Sequence, residues 1–166
     1  MDSVKVSSII EKMNLLKLTP DISTDDILVT HPDINRPALQ LADFYDYFDR
    51  ERVQIIGYVE NAYLNSLDRE TRIQRYKRLF ESKIPCLVFC RGIQPEEEVI
   101  EMANECGVPL LKSEASTSSF MAEIIRWLKV QLAPTISIHG VLVDVYGEGV
   151  LIMGESGIGK SEAALE

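Results

Sequence analysis

The chain has 166 residues, 46% of them apolar and 26% charged, and a net charge of −9. These are globular values, enough for one ordinary domain and a short piece of another. An acidic balance gives no broad attraction to nucleic acid. No apolar run approaches the roughly 20 residues of a membrane span, and the N-terminus sets charges among its apolar positions, unlike a signal peptide. A cytoplasmic protein without a membrane partner is expected.

In chain order, residues 4–17 read as one amphipathic helix, with Val6, Ile9, Ile10, Met13 and Leu16 on one side. Ile27-Leu28-Val29 reads as a short strand. His31 to Pro37 reads as a loop, because Pro32, Pro37 and the residues before them resist helix. His31 reads as structural. Val53 to Ile56 is a strand candidate ended by Gly57.

Asp68 is placed to cap a helix running to about Glu81 that buries Ile73, Tyr76, Leu79 and Phe80. The same helix carries Arg69, Arg72, Arg75, Lys77 and Arg78, read as a solvated face rather than a docking surface. Cys86 to Cys90 is a continuous apolar run, the pattern of a strand buried on both faces. Arg91-Gly92 is a turn after it, and the end of a buried strand is a place where an anion can sit. Pro95 opens a helix with Glu96, Glu97 and Glu98 in its first turn, favourable to the helix dipole, and Gly107 closes it. Val108 to Leu111 is a short strand whose Pro109 belongs at its start or at a sheet edge. Ser116 to Ser118 offer caps for a long helix burying Phe120, Ile124, Trp127 and Leu128.

Strands alternating with helices imply a parallel sheet with helices packed on it. Cys86, Cys90 and Cys106 form no CxxC pair and share the chain with only two histidines, so metal ligation is not expected. Cys86 and Cys90 read as small buried hydrophobes. Leu132-Ala133-Pro134 ends the long helix, and the texture then turns β-branched and glycine-rich. The boundary falls at Pro134, giving an N-terminal α/β domain over 1–133 and the start of a second domain over 134–166.

That second piece carries the chemistry. Gly154-Glu155-Ser156-Gly157-Ile158-Gly159-Lys160-Ser161 matches G-x-x-x-x-G-K-[ST] between the strand-like Val150 to Met153 and the helix-forming Glu162-Ala163-Ala164-Leu165. Glycines let backbone N–H groups curl around a polyphosphate, and the helix N-terminus adds its positive end. Lys160 would set an ammonium on the β- and γ-phosphates, and the Ser161 hydroxyl would ligate Mg²⁺. His139 lies fifteen residues upstream of Gly154. On its own, a lone histidine near a strand reads as structural.

The stretch HGVLVDVYG from His139 to Gly147, followed by GESGIGKSEAALE, resembles the start of the catalytic domain of the HPr kinase/phosphorylase family. Upstream, DINRPALQLADFYDYF, RVQIIG, IPCLVFCRG and GVPLL are similar to that family's N-terminal domain in the same order. The resemblance implies an N-terminal sheet-and-helix domain like the first domain of Mur ligases, followed by a truncated P-loop kinase domain. It implies a bifunctional enzyme of carbon catabolite repression. That enzyme phosphorylates a serine of the phosphocarrier HPr with ATP or pyrophosphate and Mg²⁺, and removes the phosphate by phosphorolysis. It implies a hexamer that responds to fructose 1,6-bisphosphate and inorganic phosphate. His139 and Lys160 would be active-site residues, and Gly154, Glu155, Ser156, Gly157, Ile158, Gly159, Lys160 and Ser161 the nucleotide cradle, with Ser161 also on the metal. The family extends about as far again beyond Glu166. That portion would carry the aspartate acting as general base and acid, a further arginine and a glutamate for Mg²⁺. The 166-residue chain is therefore expected to be inactive by itself. Two rival readings remain: a non-catalytic assembly or ligand-sensing module, and another P-loop NTPase. The HGVLVDVYG stretch has no place in the latter.

Overall fold

The computed structural model describes residues 2–134. Contact density separates Met1–Pro134 from Thr135–Glu166 as two units, and the first is the one described.

The chain enters through β1 (Val4–Lys5) and α1 (Val6–Met13). Asn14 ends that helix in the left-handed conformation at φ 54°, a cap that asparagine tolerates better than most residues. The expected helix over 4–17 is thus shorter. Leu16 leaves it for β2 (Leu16–Lys17) and is 56% exposed instead of buried. β3 (Leu28–Val29) pairs antiparallel with β1 as a small separate ribbon.

The main sheet has the order β2-β7-β6-β5-β4. Its parallel part is β4 (Ile34–Asn35), β5 (Val53–Ile56), β6 (Leu87–Phe89) and β7 (Leu110–Lys112), and β2 closes one edge antiparallel to β7. β4 lies in the segment expected as a loop. A two-residue strand between Pro32 and Pro37 is possible because it occupies the sheet edge, where few backbone donors are required.

The parallel strands follow one another across the sheet in chain order. Right-handed crossovers in a constant direction put every connecting helix on the same face. α2 (Ala38–Leu41), α3 (Tyr58–Ser66), α4 (Arg69–Glu81) and α5 (Glu97–Cys106) all lie there, over a core of Ile56, Leu87, Phe89 and Leu110. The other face is filled from the chain ends. There α1 and α6 (Thr117–Gln131) cover Val53, Ile55, Cys86, Val88, Cys90 and Leu111. The two residue sets alternate along each strand, the period-2 signature of a sheet buried on both sides. Phe80, Phe89 and Phe120 are fully buried, and each such side chain contributes about 1.5–3 kcal/mol by leaving water.

The expected cap residues are in place. Asp68 accepts from the Thr71 N–H at 2.9 Å and from its hydroxyl at 2.9 Å, and Ser116 accepts from the Ser119 N–H at 3.3 Å. Gly107 closes α5 at φ 73°. Pro109 immediately precedes β7, where its missing N–H costs nothing and its carbonyl accepts from Leu87 at 3.0 Å. Cys86 and Cys90 are fully buried, and burial pushes their thiols up to about 12 and about 11. None of the described helices is long and apolar enough to cross a membrane.

Candidate functional site

His139 and the loop from Gly154 to Ser161 lie outside the described residues, so the described part presents a different set of groups. These gather at the carboxyl ends of the parallel strands. Arg36 follows β4, Gly57 follows β5, Arg91-Gly92 follows β6, and Ser113 to Thr117 follow β7.

Glu60 is the centre of this edge. It sits in the first turn of α3 and is 3% exposed. Its Oε1 accepts from the Gly57 N–H at 2.8 Å and from the Arg36 guanidinium at 2.8 Å. One carboxylate oxygen thereby caps α3 and anchors the end of β4 to it. A carboxylate at a helix N-terminus is also favoured by the helix dipole. The backbone comes so close here that a Cβ on Gly57 would stand 2.4 Å from Thr117 Oγ1 and 2.9 Å from an Arg36 nitrogen. Only glycine fits between α3 and α6 at this point. The Arg36 Nε and the Thr117 Oγ1 are buried without a protein partner.

Behind this edge a polar network replaces apolar packing. The Asn35 side-chain amide donates to Gln54 at 2.7 Å and to Gln40 at 3.1 Å, and Gln54 donates to the Arg52 carbonyl at 2.8 Å. Gln54 is fully buried within β5, and these bonds offset its desolvation.

The turn at Arg91-Gly92, with φ of 58° and 66°, is fixed to the β7 end. The Arg91 N–H donates to Ala115 at 2.9 Å and the Gly92 N–H to Ser113 at 2.8 Å. The Arg91 guanidinium lies 4.5 Å from the Tyr58 ring, a cation–π arrangement. The Glu114 carboxylate stands beside Gly92. Each cation at this edge thus has an anion or an aromatic ring beside it. The strand order never reverses among the parallel strands, so the crevice of a topological switch point does not form here. Through Glu60 this edge fastens the end of β4 to the start of α3, with Thr117 of α6 packed against Gly57.

The arginine-rich face of α4 is likewise engaged. Arg72 makes a two-pronged pair with Glu96 at 3.0 and 3.1 Å, which holds the Glu96 carboxyl below its ordinary range. Arg69 pairs with Glu98 and Arg78 with Asp43. Arg75 donates to the Leu41 carbonyl at 2.6 Å and to Tyr63 at 3.0 Å. Four of the five basic residues therefore tie α4 to α5 and to the α2–α3 region. A purely solvated face does not describe them. His31 lies 3.2 Å from Asp49, a surface contact.

Arg36, Glu60 and Thr117 were not legible as a group in the sequence. Gly57-x-x-Glu60 has the spacing of a helix cap, which is the signal available for Glu60. Nothing local joins Arg36 and Thr117 to Glu60 across 24 and 57 positions of chain.

Two family models match the chain: HPr Serine kinase N terminus over residues 4–128, and HPr Serine kinase C-terminal domain over residues 130–166. Among curated relatives, the HPr kinase/phosphorylase of Lachnoclostridium phytofermentans is 61% identical over the whole chain, which covers 54% of that relative. That of Clostridium acetobutylicum is 47% identical over 98% of the chain and 53% of the relative. The chain spans about half the length of the curated relatives it matches. Among solved structures, the CBS and DRTGG domains of the regulatory region of Clostridium perfringens pyrophosphatase, complexed with its activator diadenosine tetraphosphate, align with a TM-score of 0.56. That alignment has 14% identity and covers 91% of this chain and 64% of the other, a likeness of fold. With a matching model over 4–128 and a second over 130–166, the chain belongs to the HPr serine kinase family.

Proposed function

We propose that this chain is the first half of a bifunctional enzyme that moves phosphate to and from a serine of the phosphocarrier protein HPr. The observation that carries the reading is the run from His139 to Ser161. There HGVLVDVYG and a complete phosphate-loop motif stand together within the C-terminal family match. The full-length relatives bear the name HPr kinase/phosphorylase, which supports both directions of transfer.

In this reading residues 1–133 form the N-terminal domain and 134–166 begin the catalytic domain. The backbone N–H groups of Gly154 to Gly159 surround the phosphates of ATP or pyrophosphate, and Lys160 neutralises the charge that builds on the transferred group. The Ser161 hydroxyl is a hard oxygen donor of the kind Mg²⁺ takes, and the metal supplies charge neutralisation between phosphate oxygens when bound. His139 belongs to the active site by its place in the motif. In the forward direction the serine oxygen gives its proton to a general base and bonds the γ-phosphorus, while the bond from that phosphorus to the β-phosphate oxygen breaks and ADP leaves. In reverse, an oxygen of inorganic phosphate bonds the phosphorus of phosphoserine, the serine O–P bond breaks, the serine oxygen takes back a proton from the same group acting as acid, and pyrophosphate leaves. The acceptor, the hexameric assembly, the effectors fructose 1,6-bisphosphate and phosphate, a cytoplasmic location and a role in carbon catabolite repression belong to the same reading.

The reverse reaction gives a specific test. A chain of the relatives' length, given phosphoserine-HPr and inorganic phosphate, is expected to release pyrophosphate. Release of inorganic phosphate alone would mean hydrolysis and would remove the phosphorylase half of the proposal.

A further inference from the structure

The amino ends of β5, β6 and β7 border a cleft of about 400 Å³, the size of a small-molecule site. Four segments far apart in the chain meet there: residues 27–30 around β3, 50–51 before β5, 83–85 between α4 and β6, and 107–108 between α5 and β7. Its apolar lining includes Ile84 and Val108, which are buried, and Leu28, which is 53% exposed. Its charged lining is Arg50, Glu51 and Lys83, all exposed.

These charges are not spent on one another. Arg36, Arg52, Arg69, Arg72 and Arg78 each sit on a carboxylate, whereas Arg50 and Lys83 have no carboxylate partner among the described residues, and Glu51 has no cation there. The two cations rest instead on helix-end carbonyls. Lys83 donates through Nζ to Cys106 at 2.8 Å, and Arg50 through Nη1 to Ser82 at 3.5 Å. The remaining donors of both groups are left for a ligand. Lys83 is held at φ 61° just past the cap of α4, a left-handed position where glycine or asparagine is usual. Strain of this kind gathers at functional sites. Lys83 and Gly107 also bring the C-termini of α4 and α5 to the cleft, and their carbonyl ends carry partial negative charge. That disfavours a doubly charged phosphate and favours a ligand with a cationic group of its own. A polyhydroxylated body would find few partners on Leu28, Ile84 and Val108, whereas an aliphatic or aromatic one is matched to them.

We propose that this cleft binds a free apolar α-amino acid: its carboxylate on Arg50 and Lys83, its ammonium on Glu51 and the helix carbonyl ends, its side chain on Leu28, Ile84 and Val108. The proposal does not depend on the phosphate-transfer reading. Amide chemical shifts of the 166-residue chain, followed by NMR during titration with L-leucine and with L-phenylalanine, test it. At least one of the two is expected to give saturable shifts centred on Leu28, Lys83, Gly107 and Val108. 3-Phenylpropionate and 2-phenylethylamine each lack one of the two charges and are expected to bind about tenfold more weakly than L-phenylalanine or L-leucine. Arg50→Gln and Lys83→Asn are each expected to weaken binding about three- to tenfold. Both positions are exposed and asparagine suits the left-handed backbone, so circular dichroism is expected to stay unchanged. Shifts that never saturate, shifts centred away from the cleft, binding of 3-phenylpropionate as tight as that of the amino acids, or an affinity indifferent to both substitutions overturns the proposal.

Discussion

Glu60 holds two donors on one oxygen, and removing it strands both. Glu60→Ala is expected to cost about 2–3 kcal/mol in urea unfolding, below the usual range for a fully buried pair because Arg36 is one-third exposed. Gly57→Ala forces the contact with Thr117 Oγ1 and is expected to cost about 1–3 kcal/mol. Thr117→Ala in the same chain should recover much of that loss, since two residues in contact are not additive. Independent, additive costs would contradict the contact. The cysteines give a pH dependence. Their thiols ionise near 9 when exposed but at about 12 and about 11 in the fold. Below pH 9 the protonated thiols cost nothing. As pH rises from 9 through these folded values, the unfolded chain releases protons first and stability falls. Thermal melts should show that decline, reduced in Cys86→Ala relative to its own neutral-pH value. A thiol reagent should reach Cys106, which is partly exposed, and leave Cys86 and Cys90 unmodified until denaturant is added.

At the scale of elements, α4 depends on its ends and its arginines. Asp68 is held below the ordinary carboxylate range mainly by the Thr71 N–H and then by the Thr71 hydroxyl. Its cap is present above the unfolded pKa and lost as pH falls through the folded one. Asp68→Ala should lower the melting temperature at neutral pH, while Asp68→Asn should keep the cap and flatten the acid limb. The Arg72–Glu96 pair joins α4 to α5, and a double-mutant cycle is expected to give a coupling of about 0.5–1 kcal/mol, reduced by salt. The elements legible in the sequence were those with their own punctuation. Asp68, Gly107 and Ser116 marked helix ends, and the run from Cys86 to Cys90 declared a strand buried on both faces. α3 escaped because Gly57 is at once the end of β5 and the cap of the helix, leaving no loop to mark a change. α2 and β4 are too short to show a period, and they exist because neighbours hold them: Arg75 on Leu41, Gln54 on Asn35. The helix over 4–17 was read too long because Leu16 continues the apolar spacing past Asn14. The pairing of β2 with β7 decides its place.

At the scale of the molecule, residues 2–134 form a sheet covered on one face by the crossover helices and on the other by α1 and α6. Its parallel strands follow one another across the sheet without reversal, and at their carboxyl ends Arg36 is paired with Glu60. The sequence pointed to chemistry elsewhere, in the motif from Gly154 to Ser161 and the histidine upstream, and the family match covers both. The most direct measurement uses a chain of the relatives' full length, incubated with HPr, ATP and Mg²⁺, with the intact mass of HPr read before and after. One phosphate is expected on HPr, and none when Lys160→Ala is used. An unchanged mass while the enzyme still binds nucleotide would contradict HPr as the acceptor.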